Sequence, residues 1–244
     1  MEYYDSEGNE VDVSDAFDDY FEEDDRIKNP SNKMVKLIKE EGPEMQYLSE
    51  LPSHLGRYIA IDAEFTGLDE KEDQLLELAA CEIKDCKLTW KKFHCYIKPR
   101  GEIKGTEFHG ITKETYEKLP EGLILDDKKN LEDFLNFVGD SLIFAHNPIK
   151  DIAFINKELS LNGLKPLENN QFRCTMRLYY KRFCNTYIKK INLESCCKTF
   201  NIKCFGKHSA VEDCENTGKL LIYLIRKRKN NKKKKQEFRI FIII

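Results

Sequence analysis

Residues 57–65 read RYIAIDAEF, a compact apolar run that ends in two acids. Successive side chains of a β-strand point to opposite faces, so Asp62 and Glu64 share one face of this predicted strand. The other face carries Ile59, Ile61 and Ala63. Carboxylates at the end of a buried strand are costly unless a metal ion or another cation neutralises them, so the pair marks a candidate site. The alternative is a strand end that frays into solvent with both acids exposed.

The segments that follow predict a mixed sheet. Two further β-rich runs, Leu75–Lys84 and 88–98, are separated by the polar residues 85–87, as in a hairpin. After them the pattern changes to alternating helices and short strands. The predicted helices are 112–119, 130–138, 148–161, Thr175–Phe183, 192–200 and 210–225, and the predicted strands are 141–145 and 171–174. A hairpin meander followed by β-α units indicates an α/β fold with a mixed five-stranded sheet flanked by helices.

Charge is concentrated at the two ends of the chain. Residues 2–25 contain twelve Asp and Glu and no Lys or Arg, whereas residues 226–235 contain eight Lys and Arg and no acid. Blocks of like charge stay solvated, so we expect both ends to be disordered. The 244 residues, 41% of them hydrophobic, suffice for one substantial core. The predicted organisation is an acidic tail at 1–28, a connector with a weak helix at 29–53, one folded domain at 54–226 and a basic tail with a short apolar end at 227–244.

Cysteine usage and the two termini indicate the compartment. Nine cysteines occur without a C-x-x-C spacing, which argues against a disulfide framework or a zinc ribbon. The acidic start lacks the apolar segment of a secretory signal and the basic character of a mitochondrial presequence. The final run FIII is far shorter than the roughly 20 apolar residues that cross a bilayer. These features favour the cytoplasm or the nucleus and no association with a membrane.

A third acid, Asp151, is placed by local helix signals. Asn147 is a favourable N-cap and Pro148 suits the first helical position, which predicts Asp151 at the fourth. Because this helix follows the strand predicted at 141–145, Asp151 should lie at the carboxyl edge of the sheet, where α/β proteins commonly build their sites. The alternative is that Asp151 only complements the helix dipole.

A fourth acid, Asp213, repeats this arrangement. Ser209 and Glu212 form a capping-box pattern, which predicts Asp213 at the fourth helical position with His208 just outside the helix. Asp213 adjoins the stripe of this helix that is predicted to face the core. That stripe consists of Ala210, Cys214, Thr217, Leu221 and Leu224. A lone histidine is more often a surface or core residue than a catalyst, and that alternative applies to His208.

The four acids together indicate a metal site. Carboxylates that converge at one sheet edge would raise one another's pKa unless divalent cations were bound. Oxygen ligands without a Cys or His cluster favour Mg²⁺ or Mn²⁺ over zinc. Two such ions are suited to in-line phosphodiester hydrolysis, since one generates hydroxide from water and the other stabilises the leaving oxygen. His208 is then the candidate general base for that water.

Four motifs in order carry a resemblance to a known family. They are IDAEFTGL at residues 61–68, FHGIT at 108–112, AHNPIKD at 145–151 and HSAVED at 208–213. With this order and spacing, the chain resembles the DnaQ-like DEDDh exonucleases over about residues 57–224. The resemblance implies an RNase H-like fold, two Mg²⁺ or Mn²⁺ ions per site, and 3′→5′ hydrolysis that releases nucleoside 5′-monophosphates from the ends of single-stranded DNA or RNA.

The resemblance also implies roles for individual residues. Asp62 would be shared by both metal ions, Glu64 and Asp213 would complete the first ion's site, and Asp151 would bind the second ion. His208 would be the general base. The implied nucleotide-binding residues are Phe65, Thr66, Gly67, Leu68, His109 and Asn147. For His109, a packed loop residue is the competing interpretation.

Two departures from the family pattern leave the ligands intact. Phe65 stands where proofreading members often have Thr, and Lys150 precedes Asp151 where an aromatic or apolar residue is usual. A catalytically inactive nucleic-acid-binding module of the same fold is the first alternative function, although it would not need all five polar residues. An interaction protein organised by its charged ends is the second, and it leaves the buried carboxylates unexplained. The basic run 226–235 is a candidate nuclear address, a phosphate contact or a solvated tail.

Overall fold

The computed structural model describes residues 50, 52–53, 55–124, 126–183, 192–204 and 209–240. Its strands are β1 (Arg57–Phe65), β2 (Leu75–Lys84), β3 (Lys87–Tyr96), β4 (Leu142–Ala145) and β5 (Phe172–Cys174). Its α-helices are α1 (Thr106–His109), α2 (Lys113–Tyr116), α3 (Asp127–Val138), α4 (Ile149–Leu161), α5 (Thr175–Phe183), α6 (Leu193–Thr199) and α7 (Ala210–Ile240), and its 3₁₀ helices are Glu121–Leu123 and Asn169–Gln171. The predicted acidic tail, most of the predicted connector, the apolar end 241–244 and His208 lie outside the described residues.

The strands form one sheet in the order β3-β2-β1-β4-β5. β1 pairs antiparallel with β2 and parallel with β4, while β2–β3 is antiparallel and β4–β5 is parallel. The turn from β2 to β3 consists of Asp85 and Cys86, whose φ angles of 50° and 60° are those that a type I′ hairpin turn requires. The predicted mixed five-stranded α/β sheet is therefore confirmed, with β3 beginning at Lys87 because the turn uses two residues.

β1 separates two hydrophobic layers. Ile59 and Ile61 are fully buried on the side covered by α3 and α4. Tyr58 and Ala60 pack on the opposite side, which α5, α6 and α7 cover. The predicted alternation along the strand is confirmed, and it puts the carboxylates of β1 on the α7 side of the sheet.

α7 lies against the sheet by its predicted stripe. Ala210, Cys214, Thr217, Leu221 and Leu224 are each at most 1% exposed, as the helical periodicity predicted. Gly218 allows a close approach, because a Cβ added there would lie 2.9 Å from Cδ2 of Leu88. The contact fixes the distance between the helix and the β2–β3 hairpin.

Several boundaries differ from the prediction, among them the start of α3, which is Asp127 instead of residue 130. α7 continues to Ile240 instead of ending near 225, so the backbone of the basic run is helical and not disordered. The reason is that Lys and Arg are good helix formers and that no Gly or Pro follows Gly218 in the helix. The helix predicted at 112–119 is a single turn, α2, which Thr112 caps. α4 begins at Ile149. In the part of the chain that the structure describes, no helix is long and apolar enough to cross a membrane.

Candidate active site

The carboxyl end of β1 supplies two of the predicted acids. In the β1–β2 register Asp62 lies opposite Ala79 and Glu64 lies opposite Glu77. Because Asp62 and Glu64 are two residues apart on one strand, both project from the sheet face that α7 covers. They retain partial contact with solvent, so this end of the strand is an open edge of the core.

Asp151 is brought to the same edge by α4, through a turn that differs from the predicted one. Asn147 has a φ of 71°, in the left-handed region that asparagine tolerates, and Pro148 is the N-cap residue of a helix without a side-chain cap. The prediction of Asn147 as the N-cap is therefore wrong, and Asp151 is the third residue of α4. The left-handed residue makes the chain turn sharply between β4 and α4. Asp151 is 8% exposed.

Asp213 occupies the predicted position. α7 begins at Ala210, so Asp213 is its fourth residue, and its N–H donates to the carbonyl of Ser209 at 2.9 Å. The side-chain amide of Asn216 lies 3.4 Å from Asp213 Oδ1, within the same helix. The first turn of α7 thus presents this carboxylate to the end of β1.

The pKa values show that the four acids act on one another. Burial is the largest cause that raises the pKa of Asp62 well above its usual value, followed by the charges of Asp151 and Glu64 and then of Asp213. Burial also raises the pKa of Glu64 to about 8, with Glu77 as the largest charge contribution. Burial raises the pKa of Asp151 to about 7. The structure therefore brings together all four predicted carboxylates, Asp62, Glu64, Asp151 and Asp213.

These residues fit a divalent cation by donor type and by charge. All four offer oxygen, which Mg²⁺ and Mn²⁺ prefer. Burial is the largest cause that raises the pKa of Asp62, Glu64 and Asp151, and a bound cation would offset the cost of their anionic forms. Within the described ranges, no group of three or more His, Cys, Asp or Glu side chains is placed so that it could hold a metal ion without rearrangement.

Glu77 is a fifth carboxylate that the sequence analysis did not identify. It is 3% exposed, and its Oε1 accepts hydrogen bonds from Tyr96 Oη at 2.9 Å and His94 Nε2 at 2.7 Å. Its Oε2 lies 3.4 Å from the backbone N of Ala210, the first residue of α7. Glu77 therefore links β2 and β3 to the start of the helix that carries Asp213. The signal available in the sequence was an acid inside the apolar run LLELAACEI.

The segment predicted to hold the terminal nucleotide begins the β1–β2 loop, residues 66–74. The Thr66 N–H donates to the carbonyl of Gln74 and its Oγ1 accepts from the Gln74 N–H, which closes the base of the loop. A Cβ added to Gly67 would lie 2.2 Å from the carboxylate of Asp73, so a larger residue there would displace that carboxylate. Leu68 is 50% exposed at the loop surface. Phe65 stacks on Phe154 of α4 with ring centroids 4.4 Å apart.

His109 is held by the backbone on both sides of its ring. Nε2 donates to the carbonyl of Lys104 at 2.9 Å, and Nδ1 accepts from the N–H of Ile111 at 3.0 Å. The Lys104 N–H in turn donates to the carbonyl of Thr66. With both nitrogens used, His109 acts as a packed loop residue that connects its segment to the β1–β2 loop. It would contact a nucleotide through the face of its ring and not through its nitrogens.

Comparison with known proteins agrees with this geometry. The family model described as exonuclease matches residues 59–221, a range that includes all four carboxylates. The DNA polymerase III subunit epsilon of Rickettsia typhi is 33% identical over 165 residues, which are 64% of this chain and 69% of that protein. The PolC-type DNA polymerase III of Bacillus subtilis is 29% identical over 171 residues, which are 69% of this chain but only 11% of that protein.

Solved structures support the fold. E. coli exonuclease I in complex with a dT13 oligonucleotide has a TM-score of 0.57 and 14% identity, and the match covers 69% of this chain and 41% of that one. A zinc-bound form of the E. coli enzyme with single-stranded DNA gives a TM-score of 0.60 at 15% identity, with 72% and 41% covered. The sheet with its flanking helices is thus of the RNase H-like type, and the chain spans about two fifths of exonuclease I.

Proposed function

This chain belongs to the exonuclease family as a 3′→5′ exonuclease of the DnaQ-like type, and from that premise we propose that it removes nucleoside 5′-monophosphates from the 3′ ends of single-stranded DNA or RNA with two Mg²⁺ or Mn²⁺ ions. The observation that carries the proposal is the convergence of four carboxylates at one sheet edge, where burial and neighbouring charges raise pKa values. These are Asp62, Glu64, Asp151 and Asp213. A hydrolase that stabilises charge on phosphodiester oxygens with cations needs such a set of anionic ligands.

Each of the four carboxylates has its own proposed role in holding the ions. Asp62 is influenced by the charges of the three other acids, so we assign it the position shared by both ions. Glu64 and Asp213 would hold the first ion with it, and Asp151 would hold the second. When bound, divalent ions supply Lewis-acid stabilisation of the attacking and leaving oxygens of an in-line displacement.

The proton of the attacking water needs an acceptor outside the carboxylate set. His208 precedes α7 by two residues, and it is the proposed general base because a histidine titrates near neutral pH. Ser209, which follows His208 in the sequence, accepts a hydrogen bond from the N–H of Asp213 in the first turn of α7.

The β1–β2 loop is the proposed contact for the terminal nucleotide. Thr66, Gly67 and Leu68 follow the second acid of β1 after one intervening residue, Phe65, so a nucleotide resting on them would place its 5′ phosphate near Asp62. Asn147 lies two residues after the buried end of β4, and His109 contacts the segment that bonds to the loop. A single strand is the proposed substrate because the structurally similar exonuclease I has been solved with a dT13 oligonucleotide.

Digestion of matched oligonucleotides tests the proposal. DNA and RNA of one sequence, labelled at the 5′ or the 3′ end, would be incubated with the full chain in Mg²⁺, in Mn²⁺ and in EDTA. We expect a ladder from the 5′ label, early release of a labelled monophosphate from the 3′ end, and no product in EDTA. Comparison of the two sugars identifies the preferred substrate. Digestion that is equal in EDTA, or that begins at the 5′ end, would rule out the proposed mechanism.

A further inference from the structure

Lys157 of α4 makes an unusually complete set of contacts with the β1–β2 loop. Its Nζ donates to the backbone carbonyls of Glu70 at 2.8 Å, Lys71 at 3.2 Å and Asp73 at 2.7 Å. An ammonium group has three N–H donors, and here each has a carbonyl acceptor. Lys157 lies on the helix that carries Asp151, so this one side chain fastens the loop to the element that supplies a metal ligand.

A second lysine reaches the same loop from the same face of α4. Lys150 Nζ donates to the carbonyl of Leu68 at 2.9 Å and lies 3.2 Å from Glu70 Oε1. Lys150 and Lys157 are seven residues apart, which is two helical turns, so they stand in one row along the helix. Lys150 is the residue that departs from the apolar pattern of the family, and the contact with the loop gives this departure a structural role.

The other side of the loop is folded around Asp73. This carboxylate is 4% exposed and accepts from the Asp69 N–H at 2.9 Å and from Lys104 Nζ at 3.1 Å. Its backbone N–H bonds back to the carbonyl of Asp69. Internal bonds thus define the shape of the loop, while Lys157 defines its position relative to α4.

We propose that Lys157 is a positioning residue, which holds the β1–β2 loop at a fixed distance from Asp62 and Asp151 so that the seat for the 3′-terminal nucleotide exists before substrate arrives. The inference rests on the proposed function, since it assigns the loop to the terminal nucleotide. Without Lys157 three carbonyls lose their charged donor, and the loop must be ordered by each incoming substrate. Ordering a loop on binding weakens affinity without changing the chemical groups that react.

Kinetics of Lys157→Met in the full chain test the proposal. We expect KM for an end-labelled single strand in Mg²⁺ to rise about tenfold, which corresponds to about 1.4 kcal/mol, because the loop must then be ordered when substrate binds. We expect kcat to stay within about twofold. Lys165→Met is the matched control, because the Lys165 side chain is 83% exposed and pairs with Glu168 on the surface. Unchanged KM, or an equal loss in kcat, would overturn the proposal.

Lys157→Arg separates position from charge. Arginine keeps the positive charge, but its planar fork does not reproduce a compact ammonium that points at three carbonyls. We expect KM to rise in this variant as well, and wild-type kinetics would show that only the electrostatic field matters, which contradicts the proposal. The variant also provides the measurement if Lys157→Met does not fold.

Amide hydrogen exchange tests the positioning independently of activity. In the wild type the N–H groups of Asp69, Lys71 and Asp73 are bonded within the loop. We expect residues 66–74 to exchange at least about tenfold faster in Lys157→Met, with β2 unchanged. Equal exchange in both proteins would overturn the inference. An inactive wild type whose loop is nevertheless protected by Lys157 would instead refute the proposed function.

Discussion

Glu64 of β1 and Glu77 of β2 are direct cross-strand partners on the sheet face that α7 covers. Like charges in this position destabilise a sheet unless one of them is neutralised. Tyr96 and His94 donate hydrogen bonds to Glu77, whereas the pKa of Glu64 is raised to about 8, with Glu77 as its largest charge contribution. Glu64 therefore carries the raised pKa of the pair, and a bound cation would relieve the repulsion between the two carboxylates.

The stability of the metal-free protein should fall as pH rises from about 4.5 to about 8. The pKa of Glu64 rises from 4.5 to about 8 on folding, and that of Asp151 rises from 3.8 to about 7. Between the unfolded-state and folded-state pKa values, the folded protein binds more protons than the unfolded chain. The stability that these groups contribute is therefore fully present below the unfolded-state pKa and is lost as the pH rises to the folded-state pKa. Melting temperatures recorded in EDTA from mildly acidic to mildly alkaline pH measure this loss of stability. Mg²⁺ should restore stability most at the alkaline end, and a melting temperature that climbs with pH in EDTA contradicts the prediction.

Asp62→Asn and Asp213→Asn should each reduce divalent-dependent hydrolysis by at least about a hundredfold, because an amide keeps the shape of the side chain but loses the anionic ligand. In EDTA the melting temperature should be equal to or higher than that of the wild type, since one repelling charge has been removed. The exposed Asp140 provides the control, and Asp140→Asn should change neither quantity. If either site variant were inactive only because it unfolds, the assignment of metal ligands would be wrong.

Glu77→Gln should impair activity more than stability. The new side chain would keep one oxygen for the two donors from β3 and turn its amide toward Ala210, which removes the bond to the start of α7. We expect the Mg²⁺ concentration for half-maximal activity to rise about tenfold, because Asp213 is held less firmly; about 1.4 kcal/mol of lost positioning suffices for that change. Glu82→Gln is the control on the same strand, since Glu82 pairs with Arg57 on the opposite face. An unchanged Mg²⁺ requirement in Glu77→Gln would show that Glu77 only stabilises the sheet.

The sequence predicted the parts of the fold that depend on local periodicity. The alternation of Asp62 and Glu64 with apolar residues and the buried stripe of α7 were both evident, because each reflects a repeat of two or of about 3.6 residues. Glu77 was missed because its importance comes from the register between β1 and β2. The network of Lys157 was missed because the helical sequence around it does not show which carbonyls a flexible side chain will reach. Asn147 was assigned as a cap because capping preferences do not reveal a left-handed turn.

His208→Ala should lower turnover by about 10²–10⁴-fold while binding of a single strand in Ca²⁺ stays nearly unchanged, as expected when a general base is removed. Single-turnover kinetics and an equilibrium binding assay would separate the two effects. The same substitution at His146 is the comparison, because the Nδ1 of this histidine is already hydrogen-bonded to Thr175 Oγ1 near the end of β4. Full turnover of His208→Ala at neutral pH would require a different base.

Deletion of residues 227–244 tests the basic run at the end of α7. The deletion begins after Arg226 because its Nη2 donates to the carbonyl of Cys86 and anchors the helix to the β2–β3 turn. If the run contacts phosphates, the shortened chain should bind long single strands more weakly, and the slope of log K against log salt should flatten by about 0.7 per lost contact. Dinucleotides should be cleaved as before. An identical salt slope would exclude the run as a substrate contact.

The parallel pairing of β1 with β4 also has a consequence for the order of folding. The β1–β2–β3 meander can form from neighbouring segments, whereas Tyr58 meets Leu142 only after the chain between them has closed a long loop. Since long-range pairings are slow to form, we expect the acids of β1 and Asp151 to come together late in folding. Their repulsion should then be small in the folding transition state and large in the native state. Divalent ions should consequently slow unfolding far more than they speed folding, so a bound ion would mainly lengthen the lifetime of the folded domain.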